Sequence, residues 1–61
     1  MSQLNQMELQ NLRHMIGSHE SAYQKLQDYA QQANDPQIKA FFEKSAQGAQ
    51  STKQKLMSFL N

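Results

Sequence analysis

One strong helix break, Ala33-Asn34-Asp35-Pro36, divides this sequence into two segments. Aspartate is a favoured N-cap residue and proline is favoured at the first helical position, so a helix is predicted to begin at Pro36. Asn34 is a candidate for a left-handed residue that ends the preceding helix. A connection this short joins antiparallel helices. The break therefore predicts an all-α fold, an antiparallel two-helix hairpin.

Each segment carries an apolar stripe with helical spacing, in steps of three and four residues. In the first segment the stripe consists of Leu9, Leu12, Ile16, His19, Tyr23, Leu26, Ala30 and Ala33. It keeps its phase through Gly17, which favours one long helix over two. In the second segment the stripe consists of Ile38, Phe42, Ser45, Ala49, Thr52, Leu56 and Phe59. We predict a single hairpin domain over 1–61, with helix one at about 3–33, a turn at 34–35 and helix two at about 36–60.

A second apolar set flanks these stripes, and an isolated hairpin would leave it in water. It consists of Met15, Ala22 and Tyr29 on helix one and Phe41 and Gly48 on helix two. A chain of 61 residues without cysteine has no disulfide to compensate for a small core, so oligomerisation remains as the means of stabilisation. Exposed apolar surface of this kind is typical of a partner interface, and twofold dimers are the commonest oligomers. We therefore predict a homodimer that forms a four-helix bundle through these five residues.

Composition argues against two classes of partner. The formal net charge is +1, which is too small for the basic surface of a nucleic-acid binder. The longest apolar run, 40–42, is far shorter than a membrane span or a signal-peptide core. The eleven glutamines are interleaved with apolar residues at helical spacing, which favours a solvated helix face over a disordered tract. We expect neither a nucleic-acid nor a membrane partner.

The sequence lacks the arrangements that catalysis would require. Di-metal sites in four-helix bundles use Glu-x-x-His motifs, and no glutamate here has a histidine three positions away in either direction. Ser18 and Ser21 neighbour His19 in sequence, but residues one or two apart do not face each other on a helix. We predict that the protein is not an enzyme and that it carries no cofactor and no metal.

His19 is the residue most open to a functional interpretation, because it occupies the middle of the first stripe. The simpler hypothesis is a buried polar pair between His19 and the hydroxyl of Thr52. The alternative is a metal- or small-ligand-binding module, in which His19 and Tyr23 act with the small side chains of helix two, which are Ser45, Gly48, Ala49 and Thr52. A third hypothesis is a regulatory partner of a larger helical protein.

Three segments carry a family resemblance: LRHMIGSHE at 12–20, YAQQANDPQIK at 29–39 and KLMSFL at 55–60. With them, residues 9–60 resemble short relatives of the F-type spore coat proteins of endospore-forming bacteria. The resemblance implies a ferritin-like helical bundle without metal ligands and without catalytic residues. It also implies other coat proteins as partners and a location in the cytoplasm or the spore coat. The expected function is that of a small, non-catalytic structural or interaction protein.

Overall fold

The fold is a pair of long helices joined by a short connection. The computed structural model describes residues 4–60. In that range α1 spans Gln6–Gln32 and α2 spans Pro36–Ser58, and the range contains no strand. The predicted helical hairpin is therefore confirmed. As the continuous stripe predicts, α1 passes through Gly17 without a break.

A capping box fixes the start of α1. The Asn5 side-chain oxygen accepts a hydrogen bond from the Glu8 amide at 2.7 Å, and the Glu8 carboxylate accepts one from the Asn5 amide at 3.2 Å. This reciprocal pair satisfies two amides that the helix itself cannot bond. The first helix consequently begins at Gln6, later than the sequence pattern indicates, and the predicted start at residue 3 lies outside the described residues.

The connection between the helices is made from extended residues. Ala33, the C-cap of α1, has φ −73° and ψ 133°, and Asp35, the N-cap of α2, has φ −78° and ψ 124°. No non-glycine residue in 4–60 has a positive φ, so the prediction of a left-handed Asn34 is wrong. Proline disfavours the helical conformation in the residue before it, which accounts for the extended Asp35.

The start of α2 agrees with the sequence prediction. The Asp35 carboxylate accepts hydrogen bonds from the amides of Gln37 at 2.8 Å and Ile38 at 3.1 Å, and Pro36 occupies the first helical position. The helix ends at Ser58, two residues before the predicted end, and the chain continues in a turn.

Three contacts between the helices define their register. The Lys39 ammonium donates to the Ala30 carbonyl oxygen at 3.2 Å, and the rings of Phe42 and Tyr29 lie 5.5 Å apart between centroids. The Lys53 ammonium donates to the Glu20 carboxylate at 2.7 Å. As residue numbers rise along α2, those of the partners fall along α1, so the helices run antiparallel.

The seam between the helices is narrow. Within residues 4–60 the buried hydrophobic side chains are Leu12, Ala30 and Ala46. All eight predicted stripe positions of the first segment are buried or half-buried. Four of the seven predicted stripe positions of the second segment are half-buried, namely Phe42, Ser45, Ala49 and Leu56.

The remaining three predicted stripe positions of the second segment lie outside the seam. Thr52 is exposed, Ile38 is 50% exposed and Phe59 is 46% exposed. Ala46 and the half-buried Lys53 face α1 instead, so the contact surface of α2 is rotated relative to the prediction. Ala46 permits close approach because it is small, and the aliphatic part of a lysine can cover apolar surface while its charge stays near water.

Candidate functional site

The hairpin presents one surface rich in exposed apolar side chains, which we call the apolar face. Its members are Met15, Ala22 and Tyr29 on α1, Ile38, Phe41 and Gly48 on α2, and Phe59 directly after α2. Ala22 is half-buried and the other members are exposed. Met15 is 44% exposed, Tyr29 47% and Phe41 66%. The three α1 members are seven residues apart, as are Phe41 and Gly48, so each set recurs every two helical turns on one side of its helix. The apolar face contains all five residues predicted for the dimer interface, together with Ile38 and Phe59.

Two shallow apolar hollows lie at opposite ends of this face. The hollow beside the turn is lined by Tyr29, Ala33, Ile38 and Phe42, among others. The hollow at the open end of the hairpin is lined by Leu4, Leu12, Met15 and Phe59, together with Glu8 and Asn11. Apolar lining at both ends indicates that the apolar face extends along most of the hairpin.

The aromatic side chains at the turn end of the hairpin pack against one another. The ring centroids of Tyr29 and Phe42 are 5.5 Å apart and those of Phe41 and Phe42 are 6.2 Å apart, and both pairs are tilted by 58°. Aromatic pairs prefer tilted geometries of this kind. The half-buried Phe42 thus connects the seam to the exposed rings of the apolar face.

The residues in the middle of the apolar face have small side chains, and the residues at its edge are charged. Ala22 and Gly48 lie at nearly the same height along the hairpin, given the register of Tyr29 with Phe42. The exposed lysines Lys25, Lys44 and Lys55 are each three or four residues from a member of the face and therefore flank it. An apolar centre with a polar rim is the usual anatomy of a protein–protein interface.

The opposite surface is polar, and we call it the Gln-rich face. A groove on this side is lined by Tyr23, Gln27, Ala30, Gln31, Lys39, Glu43, Ala46, Gln47 and Gln50. The Gln27 amide donates a hydrogen bond to the Tyr23 hydroxyl at 2.8 Å. These glutamines are exposed, in agreement with the solvated helix face that the sequence predicts.

An ion pair joins the two helices beside the Gln-rich face. Lys53 and Glu20 form it at 2.7 Å, and Gln24 also donates to the Glu20 carboxylate, at 2.7 Å. The bond from Lys53, and then the bond from Gln24, hold the pKa of Glu20 below its usual value of 4.5. The sequence pattern does not indicate this pair, because Lys53 is not part of an apolar stripe and its place in the seam depends on the rotation of α2.

Removing the Glu20 carboxylate should alter how stability depends on pH. Since the folded pKa of Glu20 is lowered, its stabilising effect is present above the unfolded pKa and is lost as pH falls through the lower, folded pKa. The melting temperatures of the unaltered protein and of Glu20→Gln should therefore differ at neutral pH and converge in acid. Thermal unfolding followed by circular dichroism measures this. Glu43→Gln, which removes a carboxylate away from Lys53, is the control, and a Glu20→Gln difference that is the same at every pH would contradict the assignment.

His19 does not form the predicted buried polar pair. Its Nδ1–H donates to the Met15 carbonyl oxygen at 2.8 Å, one helical turn back on the same helix. Thr52 is exposed, and residues 4–60 contain no buried polar or charged side chain. The rotation of α2 turns Thr52 away from the seam, and the carbonyl of His19's own helix supplies the hydrogen bond.

The structure does not gather the residues of the alternative ligand site. Tyr23 lines the groove of the Gln-rich face, whereas Gly48 belongs to the apolar face. Among the residues that the structure describes, no three His, Cys, Asp or Glu side chains are grouped so as to hold a metal ion. Neither helix, over its described length, is long and apolar enough to cross a membrane.

Comparison with known proteins gives no relative. No protein-family model, no curated protein and no solved structure matches the chain. A function must therefore be inferred from the surfaces of the molecule itself.

Proposed function

We propose that this protein is a small, non-catalytic structural or interaction protein that acts as a homodimer. Two hairpins pack their apolar faces together and form a four-helix bundle. The observation that carries this proposal is the apolar face, on which five large side chains are each 44–66% exposed. A seam with three buried hydrophobic residues in the described range 4–60 is small for a stable fold, and a second copy would enlarge it.

The dimensions of the hairpin suit this partner. Its Cα atoms extend over 46 × 16 × 11 Å, so the plane that contains both helices is 46 by 16 Å. A stable interface buries about 800 Å² on each partner, which is comparable to the projected area of one whole side of this plane. A second copy has the same length and the same apolar surface, so it can cover the whole face in a twofold arrangement.

The chemistry of the polar side chains supports a non-catalytic role. The Nδ1 atom of His19 is bonded to a backbone carbonyl, and the Glu20 carboxylate is bonded to Lys53 and Gln24. Each group is used within the hairpin, and neither is paired with a candidate nucleophile. We assign these residues to the stability of the fold.

The setting that we propose is the spore coat, and it depends on the sequence resemblance of residues 9–60. In a dimer joined through the apolar faces, the Gln-rich faces point outward. Their exposed amides and the Tyr23 hydroxyl are hydrogen-bonding groups that other coat proteins can contact.

The dependence of thermal unfolding on protein concentration tests the homodimer. If association stabilises the fold, the melting temperature rises over about a hundredfold increase in concentration, because mass action favours the dimer.

The lysine rims of the two copies repel each other, so added salt should also strengthen association. A melting temperature that is the same at every concentration would contradict the dimer, and a rise on addition of Zn²⁺ or Ni²⁺ would favour the ligand-binding alternative.

A further inference from the structure

Gly48 has no evident role within its own hairpin. It lies in the interior of α2, where glycine is less favourable than alanine. A Cβ atom built at this position would meet nothing within 4 Å, and its φ is not positive. Neither packing within the chain nor the backbone conformation therefore requires glycine here.

The position of Gly48 on the apolar face supplies a reason. Large side chains occupy both ends of the face, with Tyr29, Ile38 and Phe41 near the turn and Met15 and Phe59 near the open end. Gly48 and Ala22 form a low point between them. Two helices that cross at an angle are closest at one point and diverge on either side, so small residues suit the crossing and large residues suit the ends.

Gly48 lies opposite a small residue of the partner subunit in either twofold arrangement of the proposed dimer. If both turns lie at the same end, α2 packs against the partner's α1, and Gly48 lies opposite Ala22 of the partner subunit. If the turns lie at opposite ends, α2 packs against its own counterpart, and Gly48 lies near Gly48 of the partner subunit. The first case follows from the register of Tyr29 with Phe42 within one hairpin. The second follows from the position of Gly48 near the middle of α2, because a copy that covers the whole face places the twofold axis close to that height.

We propose that Gly48 is the point of closest approach between the two copies and that the absence of its side chain determines how tightly they pair. This inference rests on the proposed dimer and adds the residue on which its affinity depends. The inference distinguishes a specific interface from a nonspecific apolar surface. On a nonspecific surface, any added apolar side chain would strengthen association.

Two leucine substitutions test the inference. Gly17 is the matched control, because it is also an exposed glycine inside a helix, a Cβ there also meets nothing within 4 Å, and it lies outside the apolar face. Gly17→Leu should leave the dimer dissociation constant unchanged. Gly48→Leu should raise it roughly 10- to 100-fold, because the added side chain holds the helices apart. Sedimentation equilibrium of each variant measures the constant.

The direction in which Gly48→Leu changes the dimer dissociation constant tests the inference. A dimer as tight as that of the unaltered protein, or tighter, would overturn the inference and leave the proposed dimer in place. A monomeric unaltered protein would instead overturn the proposed function. Gly48→Ala is a second variant in case Gly48→Leu does not fold. Alanine favours a helix more than glycine does, so the hairpin should fold, and the added methyl group should still weaken the dimer.

Discussion

Replacing Phe41 with glutamate should dissociate the proposed dimer. Phe41 is 66% exposed in the hairpin, and its ring contact there is with Phe42 at 6.2 Å, so the hairpin itself loses little. In the proposed dimer the substitution would remove an aromatic anchor and place a carboxylate in an apolar interface, once in each copy. We expect the dissociation constant to rise at least about a hundredfold.

Gln50→Glu is a matched control for this substitution. Gln50 is exposed on the same helix but lines the groove of the Gln-rich face, and like Phe41 it has a lysine three residues later. It therefore acquires the same charge in a similar helical setting. Sedimentation equilibrium should give a dimer for Gln50→Glu and a monomer for Phe41→Glu. Equal dissociation constants for the two variants would show that the apolar face is not the interface.

Truncating Leu12 to alanine should give the largest loss of hairpin stability. Leu12 is 9% exposed and is the largest of the three buried hydrophobic side chains within 4–60. Its removal leaves a cavity in a seam that has few other buried groups. A cost of about 2–5 kcal/mol in the free energy of unfolding follows from comparable core truncations. Urea unfolding at a fixed protein concentration, followed by circular dichroism, measures it.

Met7→Ala is the comparison for Leu12→Ala. Met7 lies on the same helix and is 71% exposed, so its loss should change the free energy of unfolding by less than about 0.5 kcal/mol. Similar costs for both variants would mean that Leu12 does not hold the helices together.

The first helix could be predicted well because its chemistry is unambiguous. Large apolar residues such as Leu12, Ile16 and Leu26 occur at regular spacing and fix the phase of the stripe, and all eight stripe positions are buried or half-buried. Its start was less accurate, although the capping signature was visible in the sequence as Asn5 followed three residues later by Glu8.

The phase of the second helix was harder to predict. Its middle contains four small residues in five positions, from Ser45 to Ala49, so several rotations bury a similar amount of apolar surface. Contact with α1 selects the rotation that buries Ala46 and brings Lys53 to Glu20. This choice depends on two residues 33 positions apart, which a pattern within one helix cannot contain.

The candidate interface was predicted in outline. Met15, Tyr29 and Phe41 are exposed as expected of a second apolar stripe. The sequence pattern places Ile38 and Phe59 in the seam, because they continue its spacing of three and four residues beyond Phe42 and Leu56. The small rotation of α2 moves both onto the apolar face.

Sedimentation equilibrium of the unaltered protein tests the central claim most directly. Because the chain has a mass of 7.0 kDa, a dimer of hairpins has a sedimentation-equilibrium mass of twice that value. The apolar face predicts the dimer mass at micromolar concentration, with helical content that falls on dilution. A folded species of single-chain mass at every concentration would contradict it.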